Sequence, residues 1–227
     1  MMKLPAAALW DMDGTIVDTE RYWIESETRL IEEYGGSWTH TDALRLVGLG
    51  LWDSAALIRE LGGVPLEPDE IVARLARDVE NRIRTEGAPF RPGARELLAE
   101  LGAAGVPQAL VTMSTMPLAL AIAETLPEGT FRFLVTGENV ARPKPFPDPY
   151  LEGARLLGVE ITDCAAFEDS PTGVRSAVAS GAVTFAVPNE VPLDPSSGAI
   201  LLDTLAGLTL TTIADHLARA PRNGATQ

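Results

Sequence analysis

A parallel α/β sheet with helices on both faces, interrupted by an inserted bundle of helices, is the architecture this 227-residue sequence predicts. Two observations predict it. Short apolar runs alternate with helical periodicities over most of the chain, the signature of a parallel sheet wrapped by helices. One long stretch, residues 19–88, breaks that alternation with helical patterns alone. The expected organisation is therefore an α/β core built from residues 1–18 and 89–227, and an all-helical domain, 19–88, set between its first two strands.

Residues 6–10 read as the first buried strand, and 108–112, 133–136, 165–168 and 183–187 as the strands that follow. Helical periodicity covers 93–104, which Gly105 stops. Residues 117–126, 149–157 and 171–179 each open with proline at a position where a missing N–H is harmless. Asp148 and Ser170 precede two of these prolines and read as N-caps. Within the insert four helical patterns occupy 19–34, 41–47, 52–61 and 69–84. Gly35-Gly36, Gly48 with Gly50, and Gly62-Gly63 separate them, leaving Leu51 and Trp52 on a loop. Pro89-Phe90-Arg91-Pro92-Gly93 reads as a stiff return linker, so a hinge is expected near 17–20 and 87–93. Residues 188–198, with three prolines, read as loop, 210–220 as a last helix, and 221–227 as a frayed tail.

Composition excludes several classes. Eighteen basic against 32 acidic side chains give a net charge of −14, which argues against a nucleic-acid groove or an anionic membrane surface. A phosphorylated small molecule stays compatible, since a metal ion and one local cation can outweigh the global field. Hydrophobic content of 46% fits a folded chain rather than a disordered one. The single cysteine, Cys164, excludes an internal disulfide. Neither a signal peptide nor an apolar run long enough for a membrane span is evident, so a cytoplasmic protein, monomeric or weakly dimeric, is expected.

Reactive groups of an open parallel sheet collect beyond the carboxyl ends of its strands. Four segments place polar residues there. Asp11-Met12-Asp13-Gly14-Thr15 follows the first strand, and two carboxylates one residue apart leave it on the same side. One can attack phosphorus while the other handles the leaving-group proton. Thr112, followed by Met113-Ser114, ends the second strand and can hold a phosphoryl oxygen. Lys144 sits between Pro143 and Pro145, ordered at little entropic cost. Glu168-Asp169-Ser170 ends the fourth strand and can complete an oxygen-ligand site for Mg²⁺. Each has a bland reading when taken alone: an Asp-Gly turn, a structural threonine, a solvated lysine, a helix-capping acid. Their joint order along the chain is what argues for chemistry.

That order resembles the haloacid dehalogenase superfamily of phosphohydrolases, in the subgroup with a helical cap between motifs one and two. Phosphoglycolate phosphatase-like and β-phosphoglucomutase-like enzymes belong to it. The likeness runs from Leu9 to about Val187 and implies a Rossmann-like core. It implies Asp11 as a nucleophile forming an aspartyl-phosphate, and Asp13 as the acid and base. Thr112, Ser114 and Lys144 would hold the phosphoryl group, and Gly14, Thr15 and Ser170 would support the site. Mg²⁺ would lie on Asp11, the Asp13 main-chain carbonyl and Asp169, with Glu168 either a further ligand or one step behind. Asp13 favours phosphate-ester chemistry over dehalogenation or carbon–phosphorus cleavage. The resemblance thus implies a Mg²⁺-dependent phosphatase of a small phosphomonoester, a sugar or polyol phosphate, with a phosphosugar mutase as the alternative.

Two positions depart from the family pattern. The stretch 47–54 carries no cation where a mutase grips its second phosphate, although Arg45 lies near. Pro143 stands where glycine is expected before Lys144. Specificity is expected from the cap, with Glu20, Trp23 and Glu27 as candidates. Tyr22, Trp23 and Trp52 read more readily as bundle core, Trp10 as sheet core, and His40 and His216 as groups without a ligand partner.

Overall fold

The computed structural model describes residues 3–46 and 49–219. Six parallel strands form one sheet: β1 (Ala7–Trp10), β2 (Gln108–Val111), β3 (Phe133–Val135), β4 (Cys164–Glu168), β5 (Val183–Ala186) and β6 (Ile200–Leu201). Their spatial order is β3-β2-β1-β4-β5-β6. The order reverses between β1 and β4, so the crevice for ligands in such a sheet falls where these two strands end. Register sets Trp10 beside Phe167, and the Asp11 N–H donates to the Phe167 carbonyl at 3.0 Å. Asp11 and Glu168 thereby leave neighbouring strands at the same level.

Successive residues of the inner strands feed opposite faces. Ala8, Trp10, Leu110, Phe167 and Phe185 enter one apolar cluster, and Ala7, Leu9, Ala109, Val111 and Ala166 enter the other. The first face is covered by α5 (Ala94–Ala103), α6 (Met116–Ala123) and α9 (Leu210–Arg219), the second by α7 (Asp148–Leu157) and α8 (Pro171–Ser180). A stack of three rings braces the strands beneath the crevice. Trp10 lies 4.0 Å from Phe167, which lies 5.4 Å from Phe185. The Trp10 indole N–H, buried with it, donates to Gln108 at 2.9 Å.

The insert is helical, as expected: α1 (Glu20–Glu33), α2 (His40–Ala43), α3 (Leu51–Gly62) and α4 (Pro68–Glu86). They close on a core of their own that includes Ile31, Trp38, Ile58 and Ile71. The two crossings between insert and sheet run side by side. Val17 bridges Phe90, the Asp18 N–H donates to the Pro89 carbonyl at 2.8 Å, and Arg91 N–H donates to the Ile16 carbonyl at 2.9 Å. The Arg91 guanidinium also donates to the carbonyls of Gly14, Val187 and Pro188.

Several expectations are corrected. Leu51 and Trp52 begin a helix rather than lying on a loop, because Gly50 is already its extended N-cap and Asp53 complements the first turn. The helix expected over 41–47 is one turn, started by a reciprocal Thr39–Asp42 capping box. Pro147 takes the cap before α7, and Asp148 instead pairs in the first turn with Arg142. Ser170 does cap α8, accepting from the Gly173 N–H. The edge strand β6 is two residues long and carries no periodicity to read. The frayed tail, Ala220 of the last helix, and Val47-Gly48 lie outside the described residues. Among the described residues no helix is long and apolar enough to cross a membrane.

The ring stack is expected to carry much of the core's stability. Phe167→Ala should cost about 3–5 kcal/mol, read from the midpoint shift in urea unfolding; a loss under about 1 kcal/mol would show that the sheet closes without it.

Candidate active site

Strand ends and helix starts bring the four sequence segments to one point. Lys144, whose side chain is only 5% exposed, reaches Asp11 Oδ1 and Glu168 Oε1, each at 2.6 Å, and donates to the Val111 carbonyl at 3.0 Å. Pro143 has therefore not turned the lysine away. Carboxylate oxygens of Asp11, Glu168 and Asp169 all lie within 4.8 Å of one another. Three acids thus surround one ammonium.

The acids are not alike. Glu168 is wholly buried and fully occupied. Its Oε1 accepts from Lys144 and from the Tyr150 hydroxyl, and its Oε2 from the N–H groups of Asp169 and Ser170 and the Ser170 hydroxyl. Five donors exceed the roughly four lone-pair positions of a carboxylate. Glu168 is thus the anchor of the lysine, and of the three acids it is the one whose oxygens are most fully engaged by donors. Asp11 is different: its Oδ2 is buried with no hydrogen-bond partner among the described residues. Burial, followed by the charge of Glu168, raises the Asp11 carboxyl to about 7 against the pull of Lys144. Asp169 is also raised, by burial and then by Asp11 and Glu168, while Thr15 donates to it at 3.2 Å. Burial alone would lower Lys144, yet Asp11 and Glu168 outweigh it and keep the ammonium charged.

Two glycines make this packing possible. At Gly14 the backbone has φ +83°, and a Cβ would stand 2.0 Å from an Asp169 oxygen. At Gly173 a Cβ would stand 1.8 Å from Glu168 Oε1. Helix α8 can start against a buried carboxylate only because residue 173 has no side chain.

Asp13 sits on the cavity side. Its Oδ1 accepts from the Thr19 hydroxyl and its Oδ2 from the Ser114 hydroxyl, both at 2.6 Å. Ser114, expected at a phosphoryl group, is thus committed to Asp13 here. Thr112 is buried and its hydroxyl accepts from the Ser114 N–H at 3.0 Å, shaping the loop beside Asp13.

Above these groups a cavity of ≈ 940 Å³ opens between the strand ends and the helical insert. Glu20, Trp23 and Glu27, at helical spacing on α1, all line it. Trp52 lines it too, 48% exposed with its indole N–H on Asp69, so it is a wall of the cavity rather than bundle core. Tyr22 is core, its hydroxyl donating to the Gly87 carbonyl. Sequence reasoning gave no role to Thr19, Tyr150, Gly173 or Glu190. Tyr150 acts through Glu168, remote along the chain. Thr19 and Gly173 act on nearby acids through contacts that no motif marks, and Glu190 enters the cavity from a loop that read as featureless. His216, half-buried, packs edge-on to Phe185.

Glu27 is an expensive residue. It is 6% exposed, and its Oε2 has no partner among the described residues, a deficit worth about 1–3 kcal/mol. Burial, then Glu20, pushes its carboxyl from the ordinary 4.5 up to about 8. The folded state therefore holds a proton that the unfolded state has released between those values, and stability falls as pH rises through that window. Glu27→Gln should raise the thermal midpoint, and the gain over wild type should widen from pH 5 to pH 8 by several degrees; a gap constant with pH would show the carboxyl to be solvated.

Comparison with known proteins agrees with this geometry. Residues 8–187 match the family described as haloacid dehalogenase-like hydrolase. Hexitol phosphatase A of Escherichia coli K12 is 35% identical over 188 residues, covering 79% of this chain and 81% of that protein. Protein CbbY of Cupriavidus necator is 32% identical over 213 residues, 86% of this chain and 84% of that protein. The crystal structure of CbbY from Rhodobacter sphaeroides in complex with phosphate superposes with a TM-score of 0.80 at 26% identity, covering 90% of this chain and 96% of that one. With its parallel sheet, its helical cap and three acids around one buried lysine, the chain belongs to the haloacid dehalogenase-like hydrolases, as a phosphohydrolase.

Proposed function

We propose that the protein is a Mg²⁺-dependent phosphatase that hydrolyses a sugar or polyol phosphate through an aspartyl-phosphate on Asp11. The observation that carries this reading is the convergence of Asp11, Asp13, Lys144 and Asp169 on the floor of a cavity sized for a small ester.

The residues present fit a divalent cation. Asp11, Glu168 and Asp169 bring three negative charges against one ammonium, and Asp11 Oδ2 is sealed without a donor. A buried cluster with that deficit calls for further positive charge. Asp11, Asp169 and the Asp13 main-chain carbonyl would hold Mg²⁺, an all-oxygen set suited to a hard cation. When bound, the ion supplies positive charge to the phosphoryl oxygens.

The chain's own groups divide the remaining work. Lys144 fixes the Asp11 carboxylate so that an oxygen of Asp11 attacks phosphorus while the bond to the ester oxygen breaks in line with it. Asp13 gives its proton to the departing alkoxide. It then takes a proton from the water that attacks the aspartyl-phosphate, which releases inorganic phosphate and restores Asp11. Thr19 and Ser114 aim Asp13, and Thr112 with its loop faces the phosphoryl group. Positioning and preorganised charge supply most of the acceleration in such a transfer. The helical cap, joined through the paired crossings at 17–18 and 89–91, excludes bulk water from the first step.

Carboxylates and tryptophans on the cap wall suit a hydroxylated leaving group, and the name of the hexitol phosphatase relative points the same way. Among the described residues the cavity offers no cation apart from Lys144, which favours hydrolysis over a mutase reaction that must hold two phosphates.

Asp11→Asn should lower phosphate release from an aryl phosphate by at least about 10³-fold, because the nucleophile is lost. Activity within tenfold of wild type would remove Asp11 from that role. EDTA should stop turnover and excess Mg²⁺ should restore it; turnover indifferent to chelation would refute the metal.

A further inference from the structure

The phosphoryl chemistry uses Asp11, Asp13 and Asp169 and leaves a second set of acids unexplained. Glu20, Glu27, Asp53, Glu138 and Glu190 line the same cavity. No lysine or arginine among the described residues stands with them, since Lys144, the one cation of the lining, is spent on Asp11 and Glu168. Burial and mutual repulsion raise Glu20 to about 7 and Glu27 to about 8. This acidic wall therefore already holds protons for want of positive charge and offers none to a second anion; Trp23 and Trp52 wall it as apolar faces. Such a wall disfavours any ligand group that carries negative charge.

Glu27 gives the cavity a more specific feature. It is 6% exposed, lines the cavity, and its Oε2 has no donor among the described residues. Glu168 shows what a structurally employed buried carboxylate looks like in this fold, with five donors. Glu27 has no such employment. It sits seven residues after Glu20 on one face of α1, about 10 Å further along the helix, toward the end of the cavity remote from Asp13. Burial and Glu20 raise its carboxyl to about 8, so nothing in the protein neutralises it by pairing. A buried polar group that costs stability and holds nothing in the fold is spare hydrogen-bonding capacity for a ligand.

Resting on the phosphatase reading above, we propose that Glu27 is a specificity-determining residue. It hydrogen-bonds a hydroxyl of the leaving alcohol, and the acidic wall around it rejects esters whose alcohol carries a second negative charge. The preferred substrate is a phosphomonoester of a neutral, polyhydroxylated alcohol.

The test measures phosphate release by the full-length protein with Mg²⁺ from four esters: an aryl phosphate, a hexitol monophosphate, a hexose bisphosphate and phosphoglycolate. Wild type should turn over the hexitol monophosphate with kcat/KM at least about 100-fold above the bisphosphate and phosphoglycolate. In Glu27→Leu the ratio of hexitol to aryl kcat/KM should fall about 5–10-fold, the size of one hydrogen bond to a neutral group. Glu27→Gln, which keeps an acceptor, should recover part of it. The aryl substrate reports whether each variant is folded and competent. A bisphosphate turned over within tenfold of the hexitol ester overturns the proposal, and so does a hexitol-to-aryl ratio unmoved in Glu27→Leu. Release from no ester at all, the aryl phosphate included, overturns the phosphatase reading and this inference with it.

Discussion

Three carboxylates gathered around one buried ammonium constrain everything else in this structure. Lys144 cannot balance Asp11, Glu168 and Asp169 together, so the site is short of positive charge by construction. The fold lessens that cost at one acid only. Glu168 is surrounded by donors, which makes it a fixed counter-ion for the lysine. Asp11 and Asp169 are left short, and burial raises both. Groups in that condition gain most from an arriving cation and phosphoryl ester, because the low dielectric that penalises them unpaired strengthens each interaction formed. On the proposed reading that deficit would drive the binding of cation and ester, and the ring stack of Trp10, Phe167 and Phe185 packs beneath the strand ends that carry it.

Local chemistry explains how such a cluster is held. The prolines on both sides of Lys144 restrict its backbone before folding, so little further entropy is lost in aiming it inward. Gly14 and Gly173 work by absence, leaving room for the carboxylates of Asp169 and Glu168. Ser170 serves twice, capping α8 through Gly173 and donating to Glu168. The start of α8 and the anchor of the lysine are consequently one structure, and a change to either is felt by both.

Much of this was legible in the sequence, for reasons that also mark the limit. The inner strands are buried on both faces, so they read as unbroken apolar runs, and the insert betrayed itself by lacking any. Asp11, Asp13, Lys144 and Asp169 follow strand ends or sit in a rigid turn, where backbone direction alone indicates where side chains go. What failed were questions of partnership. Periodicity marks Trp52 as apolar and helical but cannot say whether its face meets core or cavity. Thr19 lies only six residues after Asp13, yet no pattern marks it as that carboxylate's donor, while Tyr150 and Glu190 take their roles from Glu168 and the cavity, which no local signature announces. Asp148 looked like a cap, and only the fold shows Arg142 holding it.

Helix α1 joins what the sequence separates. Thr19, immediately before its first turn, holds Asp13 Oδ1, while Ser114 from the loop after β2 holds Oδ2. The proposed acid and base is thus gripped once by the cap and once by the core. Asp11, by contrast, is held among the described residues by Lys144 and by strand β4, both of the core. Two turns further on, the same helix sets Glu27 in the far wall of the cavity. On the proposed mechanism, α1 thus touches the proton-transfer group at one end and the leaving-group pocket at the other. Binding energy from the non-reacting part of an ester can then be realised at the reacting end, which a cap fastened to the core at a single point could not achieve.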